Sequence, residues 1–163
     1  WRAAIGGLIV VGAVIVMGTD RHLGLSLPLI HEAFERNVAP WDFAAKLALT
    51  VVCVATGFRG GEVTPLFVVG ATLGNGLAPW VALPAPLLAA MGFVATFAGA
   101  SNAPLCSIMA GIELFGSAPA PYLAIACVVA YLSTGHAGMY PGQVVEQRKH
   151  TRLSCDSGEE TVV

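Results

Sequence analysis

A stretch of 83 residues, from Val63 to Val145, contains one charged side chain, Glu113. A folded soluble domain needs charged and polar side chains over its whole surface, and this stretch cannot supply them. Across all 163 residues, 11% are charged and 56% are hydrophobic, whereas roughly 25% of the residues of a typical soluble protein are charged. The sequence therefore predicts an integral membrane protein, with a short polar tail where seven of the charged residues occupy the last 18 positions.

The same composition argues against several other classes of protein. A net charge of -2 without a basic cluster gives no electrostatic footprint for nucleic acid. No H-E-x-x-H, G-x-S-x-G or phosphate-loop lysine is present, so neither an enzyme nor a cofactor is predicted. The cysteines are far apart and are interpreted as small buried hydrophobic side chains, and the histidines have no spacing suited to a metal. These residues are Cys53, Cys106, Cys127 and Cys155, and His22, His31, His136 and His150.

Glycine and proline divide the apolar sequence into segments shorter than the about 20 residues of an upright membrane span. Helices are predicted over 3–17, 41–56, about 63–77, 84–100, 103–115 and 119–134, with a short interfacial or re-entrant helix within 23–36 and a final polar helix over 140–150. Transporters break their helices within the membrane so that freed backbone groups can face an ion or substrate. The prediction is an all-α polytopic membrane protein with short, tilted and broken helices. Residues 1–150 form its membrane domain and 151–163 a disordered tail.

The most informative local feature is the sequence Gly60-Gly61-Glu62-Val63-Thr64-Pro65 at the predicted start of a helix. The first N-H groups of a helix lack partners within it, and the helix dipole places about half a positive charge there. Glycines let the backbone approach a ligand closely, and a proline in the first turn removes an N-H that is not needed. The segment therefore predicts an anion site made of backbone amides. A glycine turn that merely joins two spans is the alternative.

Gly61-Glu62-Val63-Thr64-Pro65 resembles the G-x-F-x-P element of the CLC chloride channels and anion/proton antiporters. Asn102-Ala103-Pro104-Leu105, Ile112-Glu113 and Tyr140 resemble further elements of that family, in the same order. The resemblance extends from about Arg2 to Gln147. Glu62 and Val63, together with Gly138-Met139-Tyr140, are most similar to the branch of bacterial fluoride/proton antiporters.

The resemblance implies that the amides of Glu62 and Val63 face the anion, that Thr64 lies beside it, and that the Tyr140 hydroxyl donates to it from the cytoplasmic side. A carboxylate beside an anion is repelled unless it is protonated or paired. Glu62 is therefore expected either to titrate during transport, to pair with Arg59, or to point into solvent. The hypothesis is that Glu62 takes part in proton-coupled anion movement.

The resemblance also implies that these residues are the second inverted repeat, the C-terminal half, of a CLC subunit. The first half of such a subunit supplies another anion cradle and the gating glutamate, so the chain alone is expected not to conduct. The complete subunit is expected to form a homodimer through 103–115 and 119–134. Arg148, Lys149 and Arg152 predict a cytoplasmic C-terminus by the positive-inside rule. The resemblance implies that the membrane is a bacterial inner membrane.

Several alternatives stay open at this point. Fluoride is the favoured anion, chloride is possible, and the protein is either a channel or an antiporter, with a small inorganic anion, protons and the lipid bilayer as its partners. A structural membrane subunit that transports nothing is the rival class. Among isolated residues, Lys46 is interpreted as a snorkelling or structural cation and Glu113 as a structural hydrogen-bond acceptor. Gly70-x-x-x-Gly74 is expected to let two helices pack closely.

Overall fold

The structure is a computed structural model, and it describes residues 1–19, 21–58, 60–61, 63–135 and 138–139. Over those residues all regular secondary structure is α-helical, as predicted. The helices are α1 (Arg2–Met17), α2 (Leu27–Glu35), α3 (Asp42–Ala55), α4 (Val63–Gly76), α5 (Ala85–Ser101), α6 (Pro104–Phe115) and α7 (Ala120–Ser133). The predicted final helix over 140–150 and the tail lie outside the described residues.

Proline and a left-handed residue set most of the helix boundaries. A proline lies in the first turn of α2, α5, α6 and α7, where no backbone donor is lost. Asn102 ends α5 in the left-handed conformation at φ 53°, which asparagine tolerates better than most residues, and Pro104 then begins α6. Because these signals are local, the predicted boundaries agree with the observed ones to within one residue for every described helix except α2, which lies inside its predicted segment.

Helices α4 and α5 form the centre of the described structure, and small residues let their backbones touch. A Cβ atom added at Gly92 would lie 3.0 Å from the carbonyl carbon of Gly70 and 3.2 Å from the Cα of Gly74, and it would overlap the Gly70 carbonyl oxygen. Phe67 of α4 stacks on Phe93 of α5 with ring centroids 4.1 Å apart. The close packing predicted for Gly70-x-x-x-Gly74 is confirmed, and α5 is its partner.

The remaining helices pack on this pair through two groups of buried residues. One group joins α2 to α4, and the other joins α5 to α7. The first consists of Leu29, Ala33, Val38, Val68 and Ala71, and the second of Ala90, Val94, Ala98, Leu123 and Cys127. Helix α4 is therefore held by α2 on one side and by α5 on another, which fixes the position of its start.

Asn75, in the last turn of α4, is buried and anchors the connection between α2 and α3. Its Oδ1 accepts from the Val38 amide at 3.0 Å, and its Nδ2 donates to the carbonyls of Ala33 at 2.6 Å and Arg36 at 2.9 Å. These bonds satisfy carbonyls at the end of α2 that have no partner within that helix. No sequence pattern distinguishes this asparagine from an ordinary helix-end residue.

The outer surface of the described helices is strongly apolar. Leu8, Val16, Leu105, Met109 and Ile125 are each more than three-fifths exposed, which is unusual for a soluble protein. No helix in residues 1–135 as described combines the length and the hydrophobicity needed to cross a membrane on its own.

The cysteines behave differently from one another. The prediction of a small buried side chain is confirmed for Cys127, which is fully buried, and Cys53 is partly buried. It is wrong for Cys106, because that residue lies on the outer face of α6 beside the exposed Leu105. All three are free thiols, and Cys155 lies outside the described residues.

Candidate functional site

The loop that precedes α4 begins at a defined helix stop. Gly57 adopts φ 84°, and its amide donates to the Val54 carbonyl at 3.0 Å, while the Phe58 amide donates to the Cys53 carbonyl at 3.1 Å. This pair of bonds is a Schellman motif, and the positive φ explains why glycine suits the position. The chain therefore leaves α3 in a fixed direction toward Gly60 and Gly61.

Open space lies beside both glycines of the loop. A Cβ atom at Gly60 or Gly61 would have no described atom within 4 Å, so helix packing does not account for glycine there. Because glycine has no side chain, the backbone at both positions is accessible to a ligand.

Helix α4 begins at Val63, as predicted, with Thr64 and Pro65 in its first turn and all three residues half-buried. The Thr64 hydroxyl makes no hydrogen bond to any described residue, unlike that of Thr72, which donates to the Val68 carbonyl at 2.7 Å. The proline removes one amide, and the N-H groups of Val63 and Thr64 have no acceptor within the helix. Amides and a hydroxyl that can donate therefore lie together at this end of α4.

The other residues predicted for the site fall outside the described part of the chain. These are Glu62, Tyr140 and Arg59, the cation suggested as a partner for Glu62. Next to Tyr140 in sequence, the Met139 amide donates to the Ala100 carbonyl at 2.8 Å, so this segment contacts the end of α5. The roles of Glu62 and Tyr140 stay predictions.

A cavity of about 160 Å³ lies against the glycine loop. Gly60, Gly61 and Pro65 line one side of it, and His22, Lys46 and Thr50 line another. The cavity therefore connects the start of α4 with charged and polar residues of α3 and of the loop before α2. No sequence pattern indicates that these groups share one space.

Lys46 is a structural cation and does not snorkel. It is only 3% exposed, and its Nζ donates to the carbonyls of His22 at 3.0 Å and Gly24 at 2.7 Å and to the Ser26 Oγ at 2.8 Å. An ammonium has three N-H donors, and all three are used. No carboxylate of a described residue forms an ion pair with it. The snorkelling interpretation was wrong because the folded loop brings these oxygens within reach.

His22 lies in a loop, as predicted, but it is buried. Its Nε2 is 3.0 Å from Asp42 Oδ1, and both side chains are at most 10% exposed. The second ring nitrogen, Nδ1, and the second carboxylate oxygen, Oδ2, are buried and have no partner among the described residues. Buried polar atoms are rarely unsatisfied, so this pair is unusual.

Other charged groups lie away from the cavity. Arg21 pairs with Glu32 on the surface, and His31 lies 3.4 Å from Glu35 on an exposed face of α2. Glu113 is exposed on α6, and the hydrogen-bond role predicted for it is not found among the described residues. No group of three or more metal-ligating side chains occurs in the part of the chain that the structure describes.

Comparison with known proteins identifies the family. Residues 1–135 match the family model described as voltage gated chloride channel. The chain is 50% identical over 157 residues to a protein of Pseudomonas syringae pv. tomato named chloride/fluoride channel protein; the match covers 93% of the chain and 35% of that relative.

A solved structure, the crystal structure of a CLC-type fluoride/proton antiporter, matches with a TM-score of 0.82 and 39% identity. The match covers 86% of the chain and 36% of that structure, so the chain spans about a third of each relative's length. The helical architecture is thus that of the CLC fold, which is an integral membrane architecture. The chain belongs to the CLC family of voltage-gated chloride channels, as its spaced motifs predicted.

Proposed function

We propose that this chain forms part of a transporter that moves a small inorganic anion, with fluoride favoured, in exchange for protons. The observation that carries the proposal is the start of α4. There Gly60 and Gly61 border space that no described atom fills, and the Thr64 hydroxyl, which has no partner among the described residues, lies at a helix N-terminus. The names of both relatives include fluoride, which supports that choice of anion.

The proposed site holds the anion by hydrogen bonds and not by pairing it with a cationic side chain. The amides of Glu62 and Val63 and the hydroxyls of Thr64 and Tyr140 are the donors. An amide site in a low-dielectric interior attracts an anion without the cost of desolvating a lysine or arginine at the point of contact. Fluoride is small and accepts strong hydrogen bonds, so hydroxyl donors favour it over larger halides.

Replacing Thr64 with valine is expected to slow fluoride efflux about tenfold or more, because the substitution keeps the side-chain shape and removes one hydrogen bond to a charged ligand. The measurement is fluoride efflux from liposomes that contain the full-length protein, with chloride efflux recorded in parallel. Chloride efflux is expected to change less, since chloride is the weaker acceptor.

Thr72→Val is the matched control in the same helix. The Thr72 hydroxyl donates to the carbonyl of its own helix at Val68, so its loss removes only a weak local interaction. Equal losses of efflux in the two variants would show that the Thr64 hydroxyl is not a ligand. If substitutions at Thr64 and Tyr140 both left efflux unchanged, a structural subunit would be the better interpretation.

Replacing Glu62 with glutamine is expected to uncouple protons from anion movement. A glutamine cannot exchange a proton, so fluoride efflux should no longer be accompanied by proton uptake into the same liposomes. Glu113→Gln supplies the control, because it is the same substitution at an exposed carboxylate on α6. Unchanged proton uptake in the Glu62 variant would contradict its proposed role.

We also propose a location, an orientation and an oligomeric state for the protein. The protein is placed in a bacterial inner membrane with its C-terminus in the cytoplasm, with residues 1–150 in the membrane and 151–163 as a polar tail. A homodimer that meets through α6 and α7 is supported by the exposed apolar side chains on those helices, Leu105, Met109 and Ile125 among them. A chloride channel or exchanger of the same family is the alternative, and the parallel chloride measurement distinguishes it.

A further inference from the structure

A second cavity lies between the beginning of α3 and the end of α4. It is partly enclosed and has a volume of about 560 Å³. Its lining includes Trp41, Phe43 and Ala44 at the beginning of α3, and Leu73, Leu77 and Trp80 in the last turns of α4 and just after it. The glycine loop joins the opposite ends of these two helices, which are 14 residues long and therefore about 20 Å in length. The cavity is thus separate from the proposed anion site.

The lining decides which class of molecule this cavity can hold. None of the lining residues carries a charge, a hydroxyl or a side-chain amide. An ion or a sugar that entered would lose hydrogen bonds to water and gain too few in return. Apolar cavities instead stay dry and take up hydrocarbon, and one of about 150 Å³ already binds benzene. A cavity several times larger has room for a length of hydrocarbon chain.

Two tryptophans line the cavity and are nevertheless largely exposed. Trp41 is 77% exposed and Trp80 is 76% exposed. Tryptophan is enriched where the hydrocarbon core of a bilayer meets the headgroups, because its ring is apolar and its N-H can donate to water or to a lipid ester. The two residues come from different connections, one before α3 and one after α4. Their common position marks this end of the helices as the edge of the hydrocarbon core.

Exposed polar residues adjoin the same end of the two helices. Glu35, Arg36 and Asn37, at the end of α2 and the start of its connection to α3, are all exposed. The Arg36 carbonyl accepts from Asn75 at 2.9 Å, so this polar segment lies beside the last turn of α4. Charged side chains and an apolar cavity therefore meet here, as they do at the boundary between water and a bilayer.

The cavity is continuous with an exposed apolar stripe along α3. From Ala44 the exposed positions recur at Leu47, Ala48, Val51 and Val54, which is the spacing of one helix face. Leu47, Val51 and Val54 are between 45% and 58% exposed. In a member of an integral membrane family, such a face suits contact with lipid chains. A hydrocarbon chain that fills the cavity is then able to continue along α3 toward the middle of the bilayer.

We propose that this cavity binds one acyl chain of a phospholipid, with the glycerol and headgroup at the level of Trp41 and Trp80. Binding forms and breaks no covalent bond. The site holds this lipid more tightly than the surrounding bilayer holds its neighbours, because helix surfaces and aromatic rings contact the chain on several sides. The lipid fills the space between the beginning of α3 and the end of α4.

The test is a fluorescence titration of the full-length protein in dodecyl maltoside micelles with phosphatidylcholine that carries bromine on its acyl chains. Bromine quenches a nearby indole. Quenching is expected to saturate at a low lipid fraction, and the saturable part is expected to vanish in the double variant Trp41→Phe, Trp80→Phe, which keeps two aromatic rings. Quenching of these two residues that only rises in proportion to lipid would overturn the proposal.

Filling the cavity supplies the decisive variant. Ala44→Phe is expected to raise the half-saturating lipid fraction about tenfold or more, because the added ring occupies the space of the acyl chain. Ala48→Phe is the matched control, since Ala48 is exposed one turn later on α3 and does not line the cavity. If Ala44→Phe does not fold, Leu73→Phe fills the cavity from α4. Equal half-saturation in the filling and control variants would contradict lipid binding here.

Thermal unfolding and size-exclusion chromatography distinguish the other occupants. If another part of the subunit fills the cavity, Ala44→Phe lowers Tm more than Ala48→Phe does, and no saturable quenching occurs. If a second copy of the chain fills it, Ala44→Phe changes the oligomeric state. Either result would overturn the proposal. A bound lipid is expected instead to raise the Tm of the unmodified protein when phosphatidylcholine is added, with a smaller rise in Ala44→Phe.

Discussion

Replacing Gly92 with alanine is expected to lower the free energy of unfolding by about 3 kcal/mol, although only one methyl group is added. The new Cβ would overlap the Gly70 carbonyl oxygen and lie 3.2 Å from the Cα of Gly74. Both obstacles are backbone atoms of α4, which cannot rotate away as a side-chain end can. Helices α4 and α5 would have to separate, and the stacked contact of Phe67 with Phe93 would weaken with them.

The measurement is thermal unfolding of the full-length protein in detergent, where a loss of this size corresponds to a fall of about 3 °C in Tm for a protein of the relatives' length. Gly12→Ala is the matched control, because a Cβ at that glycine of α1 meets no described atom within 4 Å. Alanine there should be neutral or stabilising by up to about 1 kcal/mol, since it has the higher helix propensity. Equal melting of the two variants would mean that α4 and α5 do not pack as described.

Replacing Asn75 with leucine is expected to lower the free energy of unfolding by about 4 kcal/mol, which is more than the Gly92 substitution. Leucine fits a similar volume but offers neither a donor nor an acceptor, so the Val38 amide and the carbonyls of Ala33 and Arg36 lose their partner. A buried backbone group left without a hydrogen bond costs about 1–3 kcal/mol. The connection between α2 and α3 should then detach from the end of α4.

Two measurements check this expectation. Thermal unfolding should show the loss of stability, and limited proteolysis should show faster cleavage in the connection that includes Val38. Asn37→Leu is the control, since Asn37 is an exposed residue of the same connection. If both variants resist protease equally, Asn75 does not anchor this segment.

Much of the fold could be predicted because its boundaries are set by local signals. Pro28, Pro86, Pro104 and Pro121 begin helices wherever they occur, and Gly57 ends one, so these positions could be identified without knowledge of the tertiary structure. The helix start at Val63 was predictable for the same reason. The close approach of α4 to another helix was also predictable from Gly70 and Gly74, but the sequence did not indicate that α5 was the partner.

The site could be predicted only where it is contiguous in sequence. Residues 60–65 form one segment, and their chemistry follows from glycine, a hydroxyl and a helix start. The cavity that joins them to His22 and Lys46 depends on the path of the chain between α1 and α3, which places residues about 40 positions apart side by side. For the same reason the sequence could not decide between a snorkelling and a structural role for Lys46: its acceptors lie in a loop 20 to 24 residues earlier.

The end of α3 has an electrostatic consequence for the proposed anion site. The last carbonyls of a helix carry about half a negative charge, and α3 ends beside the loop where the anion is proposed to bind. The carbonyls of Val52, Cys53 and Val54 already accept hydrogen bonds from Thr56, Gly57 and Phe58. Because their lone pairs are engaged, this end of α3 presents less negative potential to the loop than an open helix end would. An anion that approaches α4 is therefore attracted by the beginning of one helix without being strongly repelled by the end of the other.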